Sequence, residues 1–83
     1  MITHNGTNYE ILMDDGAADK VLLLSPTEEL PDIEIDLSPL ENYYYKSGYN
    51  REFDWKHFLD WQLNEFIHDT LKHKPETLKY HPA

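Results

Sequence analysis

The sequence predicts a small α+β domain in which an N-terminal antiparallel sheet of three to four strands packs against one long C-terminal helix. Three observations lead to this fold class. Short apolar or alternating runs fill residues 1–37, a helix-start signal follows at Ser38, and residues 50–74 have helical periodicity. Periods of two and of 3.6 residues distinguish strands from helices. A chain of 83 residues is expected to form one domain.

The sheet is predicted from turn signals and from alternation. Asn5-Gly6 is typical of a two-residue hairpin turn, here between residues 1–4 and 7–13. Residues 14–19 predict a second turn, and residues 20–25 predict a short, mostly buried strand. After a loop at 26–31, apolar and acidic residues alternate from 32 to 37, which indicates a half-buried strand.

The helices are predicted from capping signals. Ser38 as N-cap, Pro39 and Glu41 predict a Tyr-rich short helix or turn over residues 38–49, which Gly48 would end. The long helix, residues 50–74, should begin near Asn50, a good N-cap, and stop before Pro75. Residues 75–83 form a tail that either docks or frays.

The long helix has two faces at 100° per residue. Its sheet-facing stripe is predicted to contain Trp55, Leu59, Leu63, Phe66, Ile67 and Thr70, with Phe58 at the edge. Trp61 projects from the far side, together with His57, Asn64 and His68. Either Trp61 anchors a partner, or it packs under the tail or the Tyr43–Tyr49 segment.

Composition excludes several functions. Sixteen carboxylates against seven Lys or Arg give a net charge of −9, which argues against direct binding of nucleic acid. Without cysteine there is no disulfide scaffold and no thiolate metal site. No apolar run approaches the roughly 20 residues of a membrane span. The N-terminus lacks a signal-peptide pattern, so a cytoplasmic location is expected, or the host cytoplasm for a phage-encoded protein.

The net charge is confined to one half of the chain. Residues 1–42 contain ten carboxylates and one lysine, whereas residues 43–83 contain six acidic and six basic residues. The alternation places three carboxylates on one face of a strand, with two more in the preceding loop. The predicted acidic partner-binding residues are Glu28, Glu29, Asp32, Glu34 and Asp36. Such a surface attracts a basic partner, or it is only a solvated face that confers solubility.

Four tyrosines in seven residues are too many for all to be buried with satisfied hydroxyls. Tyrosine gives a large contact area at low entropic cost, as protein interfaces require. The predicted aromatic partner-binding residues are Tyr43, Tyr44, Tyr45, Tyr49 and Trp61. The alternative is that two tyrosines pack on the sheet and two stay half exposed.

Signals of catalysis are sparse. The three glycines are isolated, so there is no phosphate loop, and no nucleophile motif is present. Asp54-x-x-His57 and Glu65-x-x-His68 lie on one helix, where they pair as surface side chains more readily than they hold a metal. We therefore expect no enzymatic activity, no metal and no cofactor.

By size and charge the chain resembles groups of small acidic inhibitors. These are the phage-encoded anti-restriction and anti-CRISPR proteins and the immunity proteins that neutralise nucleases. The resemblance is compositional and assigns no site residues. It implies a DNA-mimicking inhibitor that covers the basic surface of a nuclease, a CRISPR or restriction effector, or another nucleic-acid-handling protein. Its affinity should fall steeply with salt, and reversing Glu34 and Asp36 to lysine should weaken binding without harming the fold.

The alternative function is that of a structural adaptor subunit. In this interpretation the Trp61 face of the long helix, with His57 and His68, forms a protein–protein interface, for example in a homodimer. Self-association would then be insensitive to salt and would depend on Trp61.

Overall fold

The computed structural model describes residues 1–13 and 19–82 and contains a five-stranded antiparallel sheet with two α-helices. The strands follow the order β1-β2-β3-β4-β5, and both helices are inserted between β4 and β5. The α+β prediction is confirmed, with one strand more than the three to four expected. The elements are β1 Ile2–His4, β2 Thr7–Leu12, β3 Lys20–Leu24, β4 Asp32–Asp36, α1 Ser38–Ser47, α2 Trp55–His73 and β5 Lys79–His81.

The first hairpin turns at Asn5-Gly6 as predicted. His4 pairs with Thr7, and the two residues between them have φ angles of 52° and 78°. Two successive positive φ values define the turn whose twist matches that of paired strands, and Asn-Gly adopts them at low cost. The predicted second turn lies mostly outside the described residues, which resume at Asp19.

Alternation assigns the two faces of the sheet. Ile33 and Ile35 on β4 are buried and pair with Leu23 and Val21 on β3, which are also buried. The intervening Asp32, Glu34 and Asp36 therefore lie on the opposite face. The apolar face of β4 is buried in the core and its acidic face is not, so the predicted half-buried strand is confirmed.

Helix α1 begins differently from the prediction. Ser38 is the first residue of the helix and not its N-cap. The N-cap position is occupied by Leu37, whose side chain makes no capping hydrogen bond. The Asp36 carboxylate accepts a hydrogen bond from the Ser38 N–H at 2.9 Å, which serves one of the otherwise unpaired N–H groups of the first turn. Gly48 ends the helix with a φ of 83°, as predicted.

The Asp36 contact predicts a pH-dependent stability. Hydrogen bonds from Ser38 hold the pKa of Asp36 below its ordinary value of 3.8. A depressed pKa contributes stability that is present above the ordinary value and is lost as pH falls through the folded-state value. Asp36→Asn, which keeps an acceptor oxygen, should lower the Tm by roughly 2–5 °C at pH 7. In thermal melts from pH 7 to about pH 2.5 the difference should vanish at the acid end; a constant difference would refute the assignment.

Helix α2 begins at Trp55, not near Asn50. Asp54 is its N-cap: its backbone is extended, and its carboxylate accepts from the His57 N–H at 2.8 Å. Tyr49–Arg51 instead form a short 3-10 turn directly after the left-handed Gly48. Asn50 and Asp54 are both good N-caps. Because Asn50 lies inside the 3-10 turn that follows Gly48, the long helix begins after Asp54. The helix ends at His73, before Pro75, as predicted.

The buried face of α2 is centred on Phe58, which was expected only at the edge of the stripe. Phe58 is fully buried and contacts the aromatic rings of Tyr44 and Trp55, with ring centroids 5.0 and 6.0 Å away. Trp55, Leu63 and Phe66 of the predicted stripe are only partly buried. The shift arises because α2 packs on α1 as well as on the sheet.

The C-terminal segment docks on the sheet. Leu78 is buried, and β5 pairs with β4 so that Tyr80 lies opposite Ile33 and Lys79 opposite Glu34. The sheet predicted for residues 1–37 therefore gains its fifth strand from the predicted tail.

Candidate protein-binding surface

The predicted site residues lie on two separate parts of the fold. The five acidic residues lie on the uncovered face of the sheet and in the loop before β4, whereas the aromatic residues lie on α1, the 3-10 turn and α2. The two groups differ in how much of each is available to a partner.

Glu34 is enclosed by two lysines and a histidine of the same fold. Its side chain is only 14% exposed, and its carboxylate lies 3.6 Å from Lys20 Nζ on β3. On β5, Lys79 Nζ lies 3.8 Å and His81 Nε2 3.3 Å from the same carboxylate. Glu34 therefore joins three strands, and its charge is offset within the protein.

Asp32 and Asp36 also have internal roles. Asp32 accepts from the Ser25 N–H at 2.8 Å and so closes the loop before β4, while Asp36 accepts from Ser38. The row of three carboxylates exists as predicted, but each member has a partner in the fold. Lysines offset the charge of Glu34, whereas the backbone N–H partners of Asp32 and Asp36 orient those carboxylates without neutralising them.

Glu28 and Glu29 are two predicted acidic residues whose carboxylates have no ionic partner among the described residues. Both lie exposed in the loop, which Ser25 shapes by donating its hydroxyl to the Thr27 carbonyl. Within residues 1–13 and 19–82, neither carboxylate forms an ion pair.

The difference between Glu34 and Glu28 predicts opposite outcomes for the same substitution. Glu34→Lys would put a third lysine beside Lys20 and Lys79, and we expect the free energy of unfolding to fall by about 2 kcal/mol or more. Glu28→Lys should change it by less than about 0.5 kcal/mol. Urea titrations of both variants test this; equal effects would contradict the role assigned to Glu34. We therefore expect the reversal of Glu34 and Asp36 to destabilise the protein, whereas the sequence predicted no effect on the fold.

Tyr44 is a core residue and not a partner-binding one. It is 4% exposed, its ring lies 5.0 Å from that of Phe58, and its hydroxyl donates to the Phe53 carbonyl. Burial raises the pKa of Tyr44, with smaller contributions from Tyr45 and Asp54. Tyr44 was predicted to contact a partner, but it instead fixes the segment between the two helices.

Tyr45 is exposed but separated from Tyr43. Its ring packs on Tyr44, with centroids 5.1 Å apart. Two residues along a helix turn by roughly 200°, so Tyr43 and Tyr45 leave α1 on nearly opposite sides. Only one of them can contribute to the surface around Trp61.

Tyr43, Tyr49, Phe53 and Trp61 form what we call the aromatic patch. Ring centroids lie 6.1 Å apart for Tyr43–Tyr49, 5.7 Å for Tyr49–Trp61 and 6.0 Å for Phe53–Trp61. Trp61 is 56%, Tyr43 53% and Phe53 40% exposed. A contiguous exposed apolar surface of this kind marks interaction sites in soluble proteins.

The aromatic patch rests on the rigid core. The buried Phe58 ring lies 6.2 Å from Tyr43, 5.5 Å from Tyr49 and 6.2 Å from Trp61. The Phe53 N–H donates to the Tyr49 carbonyl at 2.8 Å, and Tyr44 holds the Phe53 carbonyl. Trp61 therefore packs against the Tyr43–Tyr49 segment and still exposes more than half of its surface, and the anchoring of a partner stays a prediction.

Phe53 is the member of the aromatic patch that sequence reasoning missed. Starting α2 near Asn50 placed Phe53 inside a helix, whereas it lies in the turn just before the Asp54 cap. The signal that could have found it is the aspartate directly after it, which is as good an N-cap as Asn50.

Charged residues of both signs lie beside the aromatic patch, with Arg51 directly before Glu52. The neighbouring Tyr43, burial and the Glu52 carboxylate together raise the pKa of Tyr49. Glu65 lies one helical turn after Trp61, on the same face of α2. His57, one turn before Trp61, is engaged by Asp54, whose carboxylate lies 2.8 Å from His57 Nδ1.

A cleft of about 460 Å³ opens at the other end of the fold, between the sheet and the C-terminal half of α2. Its charged lining includes Lys20, Glu34 and Lys79, and Glu34 forms an ion pair with each of the two lysines. In the described part of the chain, no three potential metal ligands come together. The predicted absence of catalysis and of a metal stays a prediction.

None of the helices in residues 1–13 and 19–82 is long and apolar enough to cross a membrane. Comparisons of the chain with protein-family models, curated proteins and solved structures give no match.

Proposed function

We propose that this chain is a non-catalytic binding protein that docks its aromatic patch on a basic surface of another protein. The single observation that carries the proposal is the contiguity of Tyr43, Tyr49, Phe53 and Trp61. Three of them are exposed, Tyr49 is partly buried, and the buried Phe58 supports Tyr49 and Trp61. Aromatic side chains dominate binding energy at interface centres, and a rigid support reduces the entropic cost of using them.

The net charge of −9 supports a basic partner. Nine units of excess negative charge lie in residues 1–42, and Glu28 and Glu29 are exposed without an ionic partner among the described residues. An acidic surface raises the rate of encounter with a basic one and is screened by salt. In this arrangement the acidic half attracts the partner and the aromatic patch holds it.

Strongly basic protein surfaces belong mainly to proteins that handle nucleic acid. The proposal therefore extends to inhibition of such a protein, a nuclease or a CRISPR or restriction effector, by occupation of its nucleic-acid groove. Only the negative charge of the chain supports this extension to inhibition. Since lysines offset the charge of Glu34, the mimicry of phosphates depends on Glu28, Glu29, Asp32, Asp36 and the other carboxylates.

A capture experiment tests the proposal. The immobilised chain should retain a partner from a lysate of its native host at low salt and release it on addition of duplex DNA or of about 0.5 M salt, because counterions compete with charged contacts. The matched variant Glu28→Lys/Glu29→Lys keeps the fold and should retain markedly less. If the amount of retained partner is unchanged by DNA, by salt and by the double substitution, the partner is not a basic nucleic-acid-binding protein.

A second candidate function is self-association through the same face, as expected of an adaptor subunit. The observation that favours it is the exposure of Trp61 beside Phe53 and Tyr43, since homodimer interfaces are apolar. Light scattering across a concentration series separates the two functions. A dimer that persists in high salt and is lost in Trp61→Ala supports the adaptor, whereas a monomer at all concentrations supports binding to another protein.

A further inference from the structure

The aromatic patch presents preorganised rings to a partner. The rings of Tyr49 and Trp61 meet edge to face, with an interplanar angle of 86°. The Phe53 ring also contacts Trp61 and is tilted by 39° relative to it. The backbone hydrogen bonds of the 3-10 turn and the Tyr44 hydroxyl fix the positions from which Tyr49 and Phe53 project. Exposed indole and phenol faces carry partial negative charge, which attracts cations.

The rim of the aromatic patch adds full negative charges. Glu52 lies close enough to raise the pKa of Tyr49, after the larger influences of Tyr43 and burial. Glu65 follows Trp61 by one helical turn and is exposed. On the α1 side the charged residue one turn from Tyr43 is Lys46. The Trp61 end of the patch is therefore the end suited to a cation.

We propose that the Trp61 end of the aromatic patch receives arginine or lysine side chains of the partner, stacked on Trp61 and its neighbouring rings and paired with Glu52 or Glu65. This inference rests on the proposed function and names the chemical groups that the surface recognises. A cation placed over an indole face near a carboxylate satisfies the ring and the carboxylate together, and arginine suits this position best because its planar guanidinium stacks and pairs at once.

The other occupants fit less well. A purely apolar segment would cover Glu52 and Glu65 without pairing them, which costs desolvation energy. A second copy of this chain would bring the same acidic rim and a net charge of −9 against −9. Single-stranded nucleic acid could stack on the rings, but its phosphates would meet the same charge.

Two capped peptides test the inference. One has the sequence Gly-Arg-Gly-Arg-Gly, and the other has citrulline, the neutral isostere of arginine, at both positions. Binding is followed by the NMR shift of the Trp61 indole N–H, assigned with a Trp55→Phe spectrum. We expect the arginine peptide to bind roughly fivefold more tightly or better than the citrulline peptide, and to move the Trp61 signal more than that of Trp55.

Variants locate the effect. Trp61→Leu should reduce the preference for arginine to less than about twofold, and Glu65→Gln should reduce it in part. Tyr80→Leu removes a comparably exposed aromatic residue on β5 and should leave the preference unchanged. Folding of each variant is checked by its amide spectrum. Equal affinity for the two peptides, or a preference that survives Trp61→Leu, overturns the inference.

The outcomes separate this inference from the proposed function. If the captured partner is lost in Trp61→Ala while the two peptides bind alike, the aromatic patch binds a protein but not through cations. If arginine is preferred while no basic partner is captured, the cation site stands and the proposed function fails.

Discussion

Phe58→Ala should lower the free energy of unfolding by about 3–5 kcal/mol, the cost of removing a fully buried phenyl ring. Domains of this size have roughly 4–12 kcal/mol in total, at 0.05–0.15 kcal/mol per residue. The loss is therefore between about a quarter of this total and the whole of it. The effect is large because Phe58 contacts Tyr43, Tyr44, Tyr49, Trp55 and Trp61.

Phe53→Ala is the matched control for Phe58→Ala. Phe53 is the same residue type, 40% exposed, and contacts the Trp61 ring. It should cost about 1 kcal/mol or less, because much of its surface meets water already. Urea unfolding followed by far-UV circular dichroism compares the two. Similar losses in both variants would mean that the cluster is not centred on Phe58.

Trp61→Ala should weaken binding to the captured partner by at least about 30-fold, or about 2 kcal/mol, as is typical of a central interface tryptophan. The stability of the free protein should fall by about 1 kcal/mol or less, since more than half of Trp61 is exposed. Isothermal titration of the wild type and the variant against the captured partner measures the first quantity, and urea unfolding measures the second.

Tyr80→Ala controls for the loss of any exposed aromatic side chain. Tyr80 is 52% exposed, close to the value for Trp61, but lies on β5 and not on the elements that form the aromatic patch. Its removal should leave affinity within about twofold of wild type. An equal loss of affinity in both variants would place the binding surface outside the aromatic patch.

Local signals predicted much of the fold. Asn5-Gly6 set the first turn, the alternation from 32 to 37 set a half-buried strand, and Gly48 and Pro75 set helix ends. Each of these signals acts over a few residues, through φ preferences or through one face of an element. Where two local signals were equivalent, as for the N-caps Asn50 and Asp54, the sequence could not choose between them.

The candidate site was predicted by residue type but not by arrangement. Trp61 and Tyr43 were correctly placed on exposed surfaces, but Tyr44 is buried and Phe53 was missed. The spacing of the acidic row on β4 was predicted correctly. Its ion pairs were not predicted, because the pairing of β5 with β4 brings Lys79 and His81 to Glu34 from more than forty positions away in the chain.

The sequence by itself determined the fold class, the two-faced strand, the helix stops and the confinement of charge to one half. These follow from periodicity, turn chemistry and composition, all of which are local or additive. Only the tertiary structure decided which charges are free and which aromatic rings meet. Those outcomes depend on the packing of α1, the 3-10 turn and α2 around Phe58, and on the docking of β5, which bring together residues that no local pattern links.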